Sequence, residues 1–505
     1  MSKKGKLPAG IDLGTTMSSL AILGEDGNPK IIANREGEYT TPSAVLWLKN
    51  EIVVGTQALQ SAALYPDFLA TRFKPRMGSG KAIFAGEDGK SRTAVELSDC
   101  VLKKLREDCS ERLGEEIKDA VITVPAYFNE AGRRATVEAG KRAGLNVIGV
   151  LNEPTAAAIA YAMDKQKDQA MLTYDLGGGT FDVTVLSVQS GRIQTLATDG
   201  NADLGGSDFD DEIAKHVLER FKKQHSKRPD PRKKPAFYLD LRTRSELAKK
   251  SLSTTRKTVV SVGVDGKQVV VELTRDGFEK MIAKYIDETM KKSEATVKAA
   301  GMEWPDLNNI ILVGGSTRIP RIVERLEKMS GKKPKSDVEP DLAVAKGAAI
   351  DAAMRIAEKG GRIIVAGKEL PAPPVKKTDV IAHPLGCLAV DSISGIEGNK
   401  VIIPANTPLP ADRYDRFALN QDNQTTARIV VVQGKENAVP QDCHVVGEVT
   451  LDGLPVKLPR ETRIAVRYRY DADGIVHVNA KDDVSGKEAN IDLDYKDGLN
   501  NANAN

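Results

Sequence analysis

Two stretches of this sequence decide its fold, and they are nearly the same: Gly10–Thr16 (GIDLGTT) and Tyr174–Asp182 (YDLGGGTFD). Each lies between β-forming runs, so each predicts a hairpin with an aspartate at the end of its leading strand. Glycine lets the backbone approach an anion closely, and consecutive N–H groups in a turn form an anion-binding nest. Two matched hairpins predict two similar half-domains that clamp one polyphosphate. Two unrelated Gly-containing hairpins are the alternative, and the matching Asp and Thr positions argue against it.

The composition is that of an ordinary protein with more than one domain. The chain has 505 residues, and single cores stop growing near ~250–300 residues. Its 73 basic and 70 acidic residues nearly cancel, so the net charge gives no reason to expect a nucleic-acid or membrane partner. The four cysteines show no CxxC spacing, so we expect neither structural zinc nor a disulfide framework. No run approaches the ~18 apolar residues of a membrane span, and we expect a cytoplasmic protein.

A third Gly-rich turn, Gly314–Arg318, follows the apolar run Asn309–Val313, and Pro320 is well placed to begin a helix. Between the second and third turns, Phe237–Ser253 has the pattern of an amphipathic helix. Another helix is predicted over residues 342–359. The part of the chain between the second and third turns is therefore expected to be rich in helix.

The chain changes character near residue 370. Residues 369–378 combine prolines with charges and predict an extended linker between domains. After Thr378, short alternating segments are separated by Asp-Gly and Ser-Gly turn signals, which predict an all-β sandwich or barrel-like module. The polar end of the sequence predicts a disordered tail.

Several long runs stand, in the right order, where one family has its signatures. These runs are Ile11–Thr16, Ile122–Asn129, Asn152–Ala158, Asp175–Asp182, Leu204–Asp210 and Val313–Pro320. The chain therefore resembles the 70-kilodalton heat-shock chaperones of the DnaK type, over nearly its whole length. The wider actin and sugar-kinase superfamily shares the two phosphate hairpins, but it does not share the C-terminal β module.

The resemblance implies an α/β actin-like ATPase domain, of the duplicated ribonuclease H-like class, followed by an all-β sandwich. We expect the nucleotide-binding domain over 7–368, the proline-rich linker over 369–378, the peptide-binding sandwich over 379–496 and a disordered tail over 497–505. Members of the family continue into a helical lid over the bound peptide, and we expect no lid here.

The resemblance implies an ATP-dependent molecular chaperone that hydrolyses ATP to ADP and phosphate and holds extended apolar segments of unfolded clients. A J-domain co-chaperone and a nucleotide-exchange factor are the further expected partners, with no nucleic acid and no membrane. A regulatory or adaptor protein with one dedicated partner is an alternative from another class. A small-molecule kinase is a third, and it leaves the C-terminal β module unexplained.

The resemblance also implies the catalytic residues, which are Lys74, Glu153, Asp175 and Thr180. Lys74 would stabilise the γ-phosphate and the attacking water, and Glu153 would orient that water or a metal-bound one. A lone lysine is ordinarily a solvated surface residue, and only the Lys-x-x-Met-Gly context of Lys74 argues otherwise.

The expected cofactors are ATP or ADP with Mg²⁺, and the resemblance also allows K⁺. Metal-site residues are Asp12, Asp175 and Asp182, and the first two would lie near the magnesium through water. The expected nucleotide contacts are Gly14, Thr15, Thr16, Gly177, Gly178, Gly179, Thr180, Gly205, Gly206, Glu246, Lys249, Ser253, Gly314, Gly315, Ser316, Arg318 and Asp341.

This chain also departs from the family's pattern. Met17 replaces the polar or aromatic residue that usually follows the Thr-Thr pair, so we expect an altered nucleotide affinity. Gly149 stands where bacterial relatives carry an arginine that helps to dock the J-domain partner, which weakens the case for stimulation by one. Asp379–Ile381 is all that remains of the apolar linker, so we expect weakened or rewired coupling between domains. Asn420 and Ala427 predict a shifted peptide preference.

Overall fold

A computed structural model describes residues 7–163, 168–189, 192–225, 233–335, 342–456, 458–471 and 476–493. The strands are β1 (Ala9–Asp12), β2 (Met17–Leu23), β3 (Pro29–Ile31), β4 (Thr41–Pro42), β5 (Ala44–Trp47), β6 (Ile52–Val54), β7 (Leu69–Thr71), β8 (Ala82–Ala85), β9 (Ser91–Thr93), β10 (Asp119–Val124), β11 (Asn146–Asn152), β12 (Gln169–Leu176), β13 (Phe181–Gln189), β14 (Arg192–Asn201), β15 (Lys257–Val264), β16 (Lys267–Thr274), β17 (Asn309–Val313), β18 (Ile363–Val365), β19 (Lys368–Leu370), β20 (Lys376–Thr378), β21 (Leu385–Val390), β22 (Glu397–Ile403), β23 (Ala411–Ala418), β24 (Thr426–Gln433), β25 (His444–Asp452), β26 (Arg463–Tyr470), β27 (Val476–Asp482) and β28 (Glu488–Leu493). The helices are α1 (Thr56–Ser61), α2 (Ala94–Leu113), α3 (Glu130–Arg142), α4 (Glu153–Met163), α5 (Gly206–Gln224), α6 (Pro235–Thr254), α7 (Arg275–Met281), α8 (Ala283–Ala299), α9 (Pro320–Ser330) and α10 (Ala343–Glu358).

Two mixed sheets repeat one strand pattern. The first has the order β11-β10-β1-β2-β3, and the second has the order β17-β12-β13-β14-β20. In each sheet the leading strand of a hairpin, β1 or β12, pairs in parallel with a later strand on one side. On its other side it pairs antiparallel with the second strand of the hairpin, β2 or β13. The turns of these two hairpins are the matched glycine-rich runs of the sequence, and their hairpin form was predicted.

Two large cores pack against the mixed sheets, and the two units are named here the first lobe and the second lobe after their sheets. The first core also takes in side chains from the second sheet, such as Leu186 and Ile311. The core of the first lobe joins β1, β2 and β10 to the helices α2, α4 and α10. The core of the second lobe joins β12, β13 and β17 to α5, α6, α8 and α9. Two predicted helices of these lobes are present with nearly the expected bounds, namely α6 and α10.

Helix α10 packs closely on β1 and on α4. A Cβ added at Gly10 of β1 would lie 2.0 Å from the backbone nitrogen of Ala349, so only glycine fits there. A Cβ at Gly347 of α10 would lie 1.8 Å from the carbonyl oxygen of Ala156 in α4. Glu153 is the first residue of α4 and directly follows Asn152, the last residue of β11.

The C-terminal part consists of two four-stranded antiparallel sheets, with the orders β22-β21-β24-β25 and β23-β26-β27-β28. Buried side chains from both sheets share one core, to which Leu385, Val431 and Val466 contribute. The hydroxyl of Tyr468 donates a hydrogen bond to the carbonyl oxygen of Gly386, at 2.8 Å, and so ties one sheet to the other. These two sheets are named here the sandwich.

The proline-rich segment is only partly an extended linker. Its last residues form β20, which pairs in parallel with Arg192–Gln194 of β14 at the edge of the second sheet. The sequence did not predict this pairing. The prolines themselves lie outside both β19 and β20, which agrees with the absence of an N–H donor on proline.

Asp341 and the tail over 497–505 lie outside the described residues. Within the described ranges, no helix combines the length and the apolar character that crossing a membrane requires.

Candidate functional site

The two glycine-rich hairpins meet between the lobes, and the space they border is named here the cleft. A Cβ added at Gly178 would lie 2.5 Å from Cγ2 of Thr16, and one at Gly179 would lie 2.7 Å from Cγ2 of Thr15. The turns therefore touch across the cleft, and neither position has room for a side chain. Consecutive N–H groups in glycine-rich turns of this kind suit an anionic ligand.

A network of hydrogen bonds holds the first turn. The backbone nitrogen of Gly14 donates to Oγ of Ser18 at 3.1 Å, and Oγ of Ser43 donates to the carbonyl oxygen of Gly14 at 2.7 Å. The two serine hydroxyls lie 2.9 Å apart, and the backbone nitrogen of Ser43 donates to the carbonyl oxygen of Thr16 at 2.8 Å. Both serines are buried. Sequence analysis missed them, because the pairing of Ser43 with Gly14 is not local.

The second turn rests on the N-terminus of α5. The backbone nitrogens of Gly206 and Ser207 donate to the carbonyl oxygens of Gly177 and Gly178 at 2.9 and 2.8 Å. A Cβ at Gly205 would lie 2.5 Å from the backbone nitrogen of Gly179. A helix N-terminus attracts negative charge, so α5 adds to the positive potential of the turn.

Carboxyl groups surround one ammonium group at the base of the cleft. Nζ of Lys74 forms an ion pair with Oε1 of Glu153, and the two side chains are only 3% and 9% exposed. The backbone nitrogen of Tyr127 donates to Oδ1 of Asp182 at 2.9 Å. The hydroxyl of Thr123 donates to Oδ1 of Asp12 at 3.3 Å. These bonds fix the acids on strands and strand ends, which are rigid supports.

The electrostatics of this cluster call for a cation. Burial raises the pKa of Asp175 well above its ordinary value, and the charges of Glu153, Asp182 and Asp12 raise it further. Burial also raises the pKa of Asp182 to about 7, with a further contribution from Glu153. Among the described residues, no three His, Cys, Asp or Glu side chains converge closely enough to ligate a metal ion directly. The acids therefore fit a cation held through water and phosphate oxygens rather than by the protein alone.

A second group of predicted residues gathers where α5, α6 and the third turn meet. Nζ of Lys249 lies 2.8 Å from Oδ1 of Asp210 and donates to the carbonyl oxygen of Gly206 at 2.9 Å. Oγ of Ser316 donates to the carbonyl oxygen of Gly177 at 3.0 Å. The third turn thus joins the second glycine-rich turn, and the sequence had not indicated Asp210 as a partner of Lys249.

The other predicted contacts of this group lie on the same elements. Gly314, with φ of 79°, brings its turn against the carbonyl of Leu176, and Gly315 and Arg318 belong to the short 3-10 helix that follows. Glu246 pairs with Lys250 within α6 at 2.7 Å, and Ser253 also bonds within that helix. Thr180 is buried directly after the second turn.

The sandwich reaches the first lobe at a junction next to Glu153. Nδ2 of Asn152 donates to Oδ2 of Asp379 at 2.8 Å, and the guanidinium of Arg133 donates to Oδ1 of Asn152 at 2.5 Å. The backbone nitrogen of Glu130 donates to Oε1 of Gln433 at 3.0 Å. Asn152 therefore contacts Asp379, beyond the linker, and directly precedes the glutamate of the cleft.

Comparisons with known proteins agree on one family. The family model described as Hsp70 protein matches residues 8–505. Chaperone protein DnaK of Thermosipho melanesiensis is 40% identical over 496 residues, which cover 97% of this chain and 80% of that relative. Chaperone protein DnaK of Thermotoga neapolitana is 40% identical over 500 residues, which cover 97% of this chain and 81% of that relative. The similarity spans both lobes and the sandwich.

Proposed function

This chain belongs to the Hsp70 family, and we propose that it hydrolyses ATP in the cleft between the hairpins β1–β2 and β12–β13. It is an ATP-dependent molecular chaperone, and ATP hydrolysis is its enzymatic activity. One observation carries the proposed location, namely the buried ion pair of Lys74 with Glu153 among three aspartates. The repeated strand pattern of the two lobes supports an actin-like, duplicated fold for this part of the chain.

Phosphoryl transfer depends mainly on positioning and on neutralising charge. Lys74 would neutralise charge on the γ-phosphate, and Glu153, which accepts its hydrogen bond, would orient the attacking water. The two turns and the N-terminus of α5 cradle the phosphates. Bound magnesium supplies positive charge to the phosphate oxygens, and Asp12, Asp175 and Asp182 would hold the waters around it.

We propose the remaining contacts from the same arrangement. Thr180 faces the γ-phosphate end, and the α6 residues Glu246, Lys249 and Ser253 face the ribose. Arg318 stacks on the base. Potassium is a further cation that the acidic cleft would accept, since burial leaves these carboxyl groups short of positive charge.

The test of the catalytic assignment is the variant Lys74→Ala. Removing a preorganised charge from the reacting end lowers single-turnover hydrolysis by about 10²–10³-fold, while calorimetry should find ATP affinity changed only a few-fold. Lys81→Ala is the matched control, because Lys81 is an exposed lysine that lies a few residues further along the chain. A wild-type hydrolysis rate in Lys74→Ala would remove this residue from the site.

We propose that the sandwich holds extended apolar segments of unfolded clients. Apolar side chains are exposed in the β21–β22 connection, where Ile393 is 95% exposed and Ile396 is also exposed. An extended peptide on a sheet edge gains main-chain hydrogen bonds, and apolar pockets give it specificity. The β21–β22 connection thus presents apolar groups to a client.

A J-domain co-chaperone and a nucleotide-exchange factor are the proposed partners, and the cytoplasm is the proposed location. The position of Gly149 limits how a J-domain would dock. A Cβ there would lie 2.5 Å from Cζ of Arg355, so the guanidinium of Arg355 fills the space that a side chain at 149 would need. Docking of such a partner would have to use other contacts.

A further inference from the structure

Arg72 crosses from one lobe to the other beside the cleft. It directly follows β7, and its neighbours Ala70 and Phe73 belong to the core of the first lobe. Its guanidinium reaches α5 of the second lobe, where Nη2 donates to Oδ2 of Asp210 at 2.9 Å. Nη1 lies 3.5 Å from Oδ1 of Asp211. The structure thus joins the lobes through one long side chain near the proposed nucleotide site.

The backbone of Arg72 is strained to make this reach. Its φ of 56° lies in the left-handed region, which residues with a side chain adopt at a cost in free energy. Such a conformation persists only where the surrounding contacts hold it. The contacts of the guanidinium with α5 offset the free-energy cost of this backbone conformation. The side chain is only 19% exposed, and its partner Asp210 is buried.

Asp210 connects this bridge to the proposed nucleotide contacts. Its carboxylate takes Arg72 on one oxygen and lies 2.8 Å from Nζ of Lys249 on the other. Lys249 in turn donates to the carbonyl oxygen of Gly206, which belongs to the cradle of the second turn. Separation of the lobes would remove Arg72 from Asp210. Loss of one cationic partner costs free energy for a buried, ionised carboxylate.

Arg72 also stands two residues before Lys74. Lys74 begins the short 3-10 helix Lys74–Arg76, and Phe73 caps that helix while packing into the first core. A change in the backbone conformation of Arg72 would therefore shift the position of Lys74, because only one residue separates them. The residue between the two is not flexible, since Phe73 is buried.

We propose that Arg72 is a positioning residue that fastens the first lobe to α5 and thereby holds Lys74 in its reacting place only while the cleft is closed. This inference rests on the role of Lys74 proposed above. It has two consequences. Nucleotide release must break the contacts of Arg72 with Asp210 and Asp211, and hydrolysis must slow when those contacts are lost.

The variant Arg72→Gly removes the contacts of the side chain without adding backbone strain, because glycine adopts the left-handed conformation freely. We expect release of a fluorescent ADP to become about tenfold faster and single-turnover hydrolysis about tenfold slower, as for loss of a partly buried charge pair. Arg72→Lys keeps the charge but loses the planar fork, so we expect an intermediate effect. Arg244→Ala is the matched control, since Arg244 pairs with Asp240 on the exposed face of α6, within one lobe.

Asp211→Asn provides a second variant if Arg72→Gly folds poorly, because Asp211 is an exposed residue. It should speed ADP release about threefold, which corresponds to a pair nearer the surface. Wild-type release and hydrolysis in Arg72→Gly would overturn the proposal. Faster release with unchanged hydrolysis would overturn the link to Lys74. The release measurement does not depend on Lys74, so it separates a failure of the bridge from a failure of the catalytic assignment, which Lys74→Ala tests alone.

Discussion

At the scale of single residues, the cleft holds more buried carboxyl groups than cations. Burial raises the pKa of Asp182 to about 7, far from its ordinary 3.8, because the ionised form loses its water and faces Glu153. In the absence of a cation, the folded protein therefore binds this proton more tightly than the unfolded chain. The contribution of Asp182 to stability is thus most favourable at low pH and is lost as the pH rises from about 3.8 through about 7.

Binding of nucleotide with Mg²⁺ should release protons near neutral pH. A nearby cation favours the ionised carboxylates, so the protons that burial retains on Asp182 and Asp175 leave when the cation arrives. Titration calorimetry at pH 6.5, in buffers of different ionisation enthalpy, measures this release directly. We expect Asp182→Asn to release fewer protons. Equal heats in all buffers would contradict the proposed electrostatics.

The hydrogen-bond network around Gly14 is expected to support ATP binding, and Ser43 is its most distant member in the sequence. Ser43→Ala leaves the carbonyl oxygen of Gly14 and the hydroxyl of Ser18 without their buried partner, which costs about 1–3 kcal/mol. Because this network shapes the phosphate turn, the variant should weaken ATP binding more than Ser293→Ala does. Ser293 is an equally buried serine in α8 that bonds only to its own helix. Equal ATP affinities in the two variants would rule out the role given to Ser43.

The residues that sequence analysis found and missed differ in the range of their contacts. Gly178, Thr16 and Asp175 lie in or beside turns whose local pattern predicts an anion site, and their place in the two hairpins could be predicted from the sequence. Ser43 acts on Gly14 from another segment, and Arg72 acts on Asp210 across 138 positions of sequence. Neither pairing follows from a local pattern, because each joins segments that are far apart in the sequence.

At the scale of elements, strand β20 shows how this chain attaches its linker. Nζ of Lys377 lies 2.6 Å from Oδ1 of Asp351, and Nε of Arg355 donates to Oδ2 of the same carboxylate at 2.8 Å. Asp351 is fully buried in α10. Burial lowers the pKa of Lys377, while the charge of Asp351 opposes that change. A buried ion pair thus anchors the linker segment to α10, at the part of the chain where the sequence predicted weakened coupling between the domains.

Lys377→Ala should detach β20 from the second sheet. Removing one partner of a buried ion pair costs about 3–5 kcal/mol, although Arg355 offsets part of that loss by remaining beside Asp351. Hydrogen exchange of the amides in Lys376–Thr378 should become much faster. Lys376→Ala is the control on the same strand, because its side chain is exposed. Unchanged protection in Lys377→Ala would show that the strand pairing holds without the ion pair.

Elements with a long periodic pattern were the predictable ones. The apolar period of α6 extends over most of its residues, so the helix was predicted within two positions at each end. Strand β20 has three residues, Lys-Lys-Thr, without an apolar alternation. Its partner Arg192–Gln194 lies far away in sequence, so only the packed structure reveals the pairing.

At the scale of the whole molecule, the family resemblance read from the sequence is confirmed, as are the chaperone function and the ATPase activity. The domain boundaries at 368 and 378 stay predictions, and so do the individual site residues. The duplicated strand pattern sets two phosphate turns face to face. Asp379, which precedes the sandwich, contacts Asn152, and Asn152 directly precedes Glu153 of the proposed hydrolysis site.

We propose that the sandwich and the cleft are coupled, so that a peptide bound by the sandwich speeds ATP hydrolysis in the cleft. The most direct test is the steady-state ATP hydrolysis rate of the full chain with and without an unfolded apolar peptide. We expect the peptide to stimulate hydrolysis several-fold, and we expect Lys377→Ala to keep the basal rate and to lose most of the stimulation. The same rate with and without peptide would contradict the coupling and favour an adaptor with a dedicated partner.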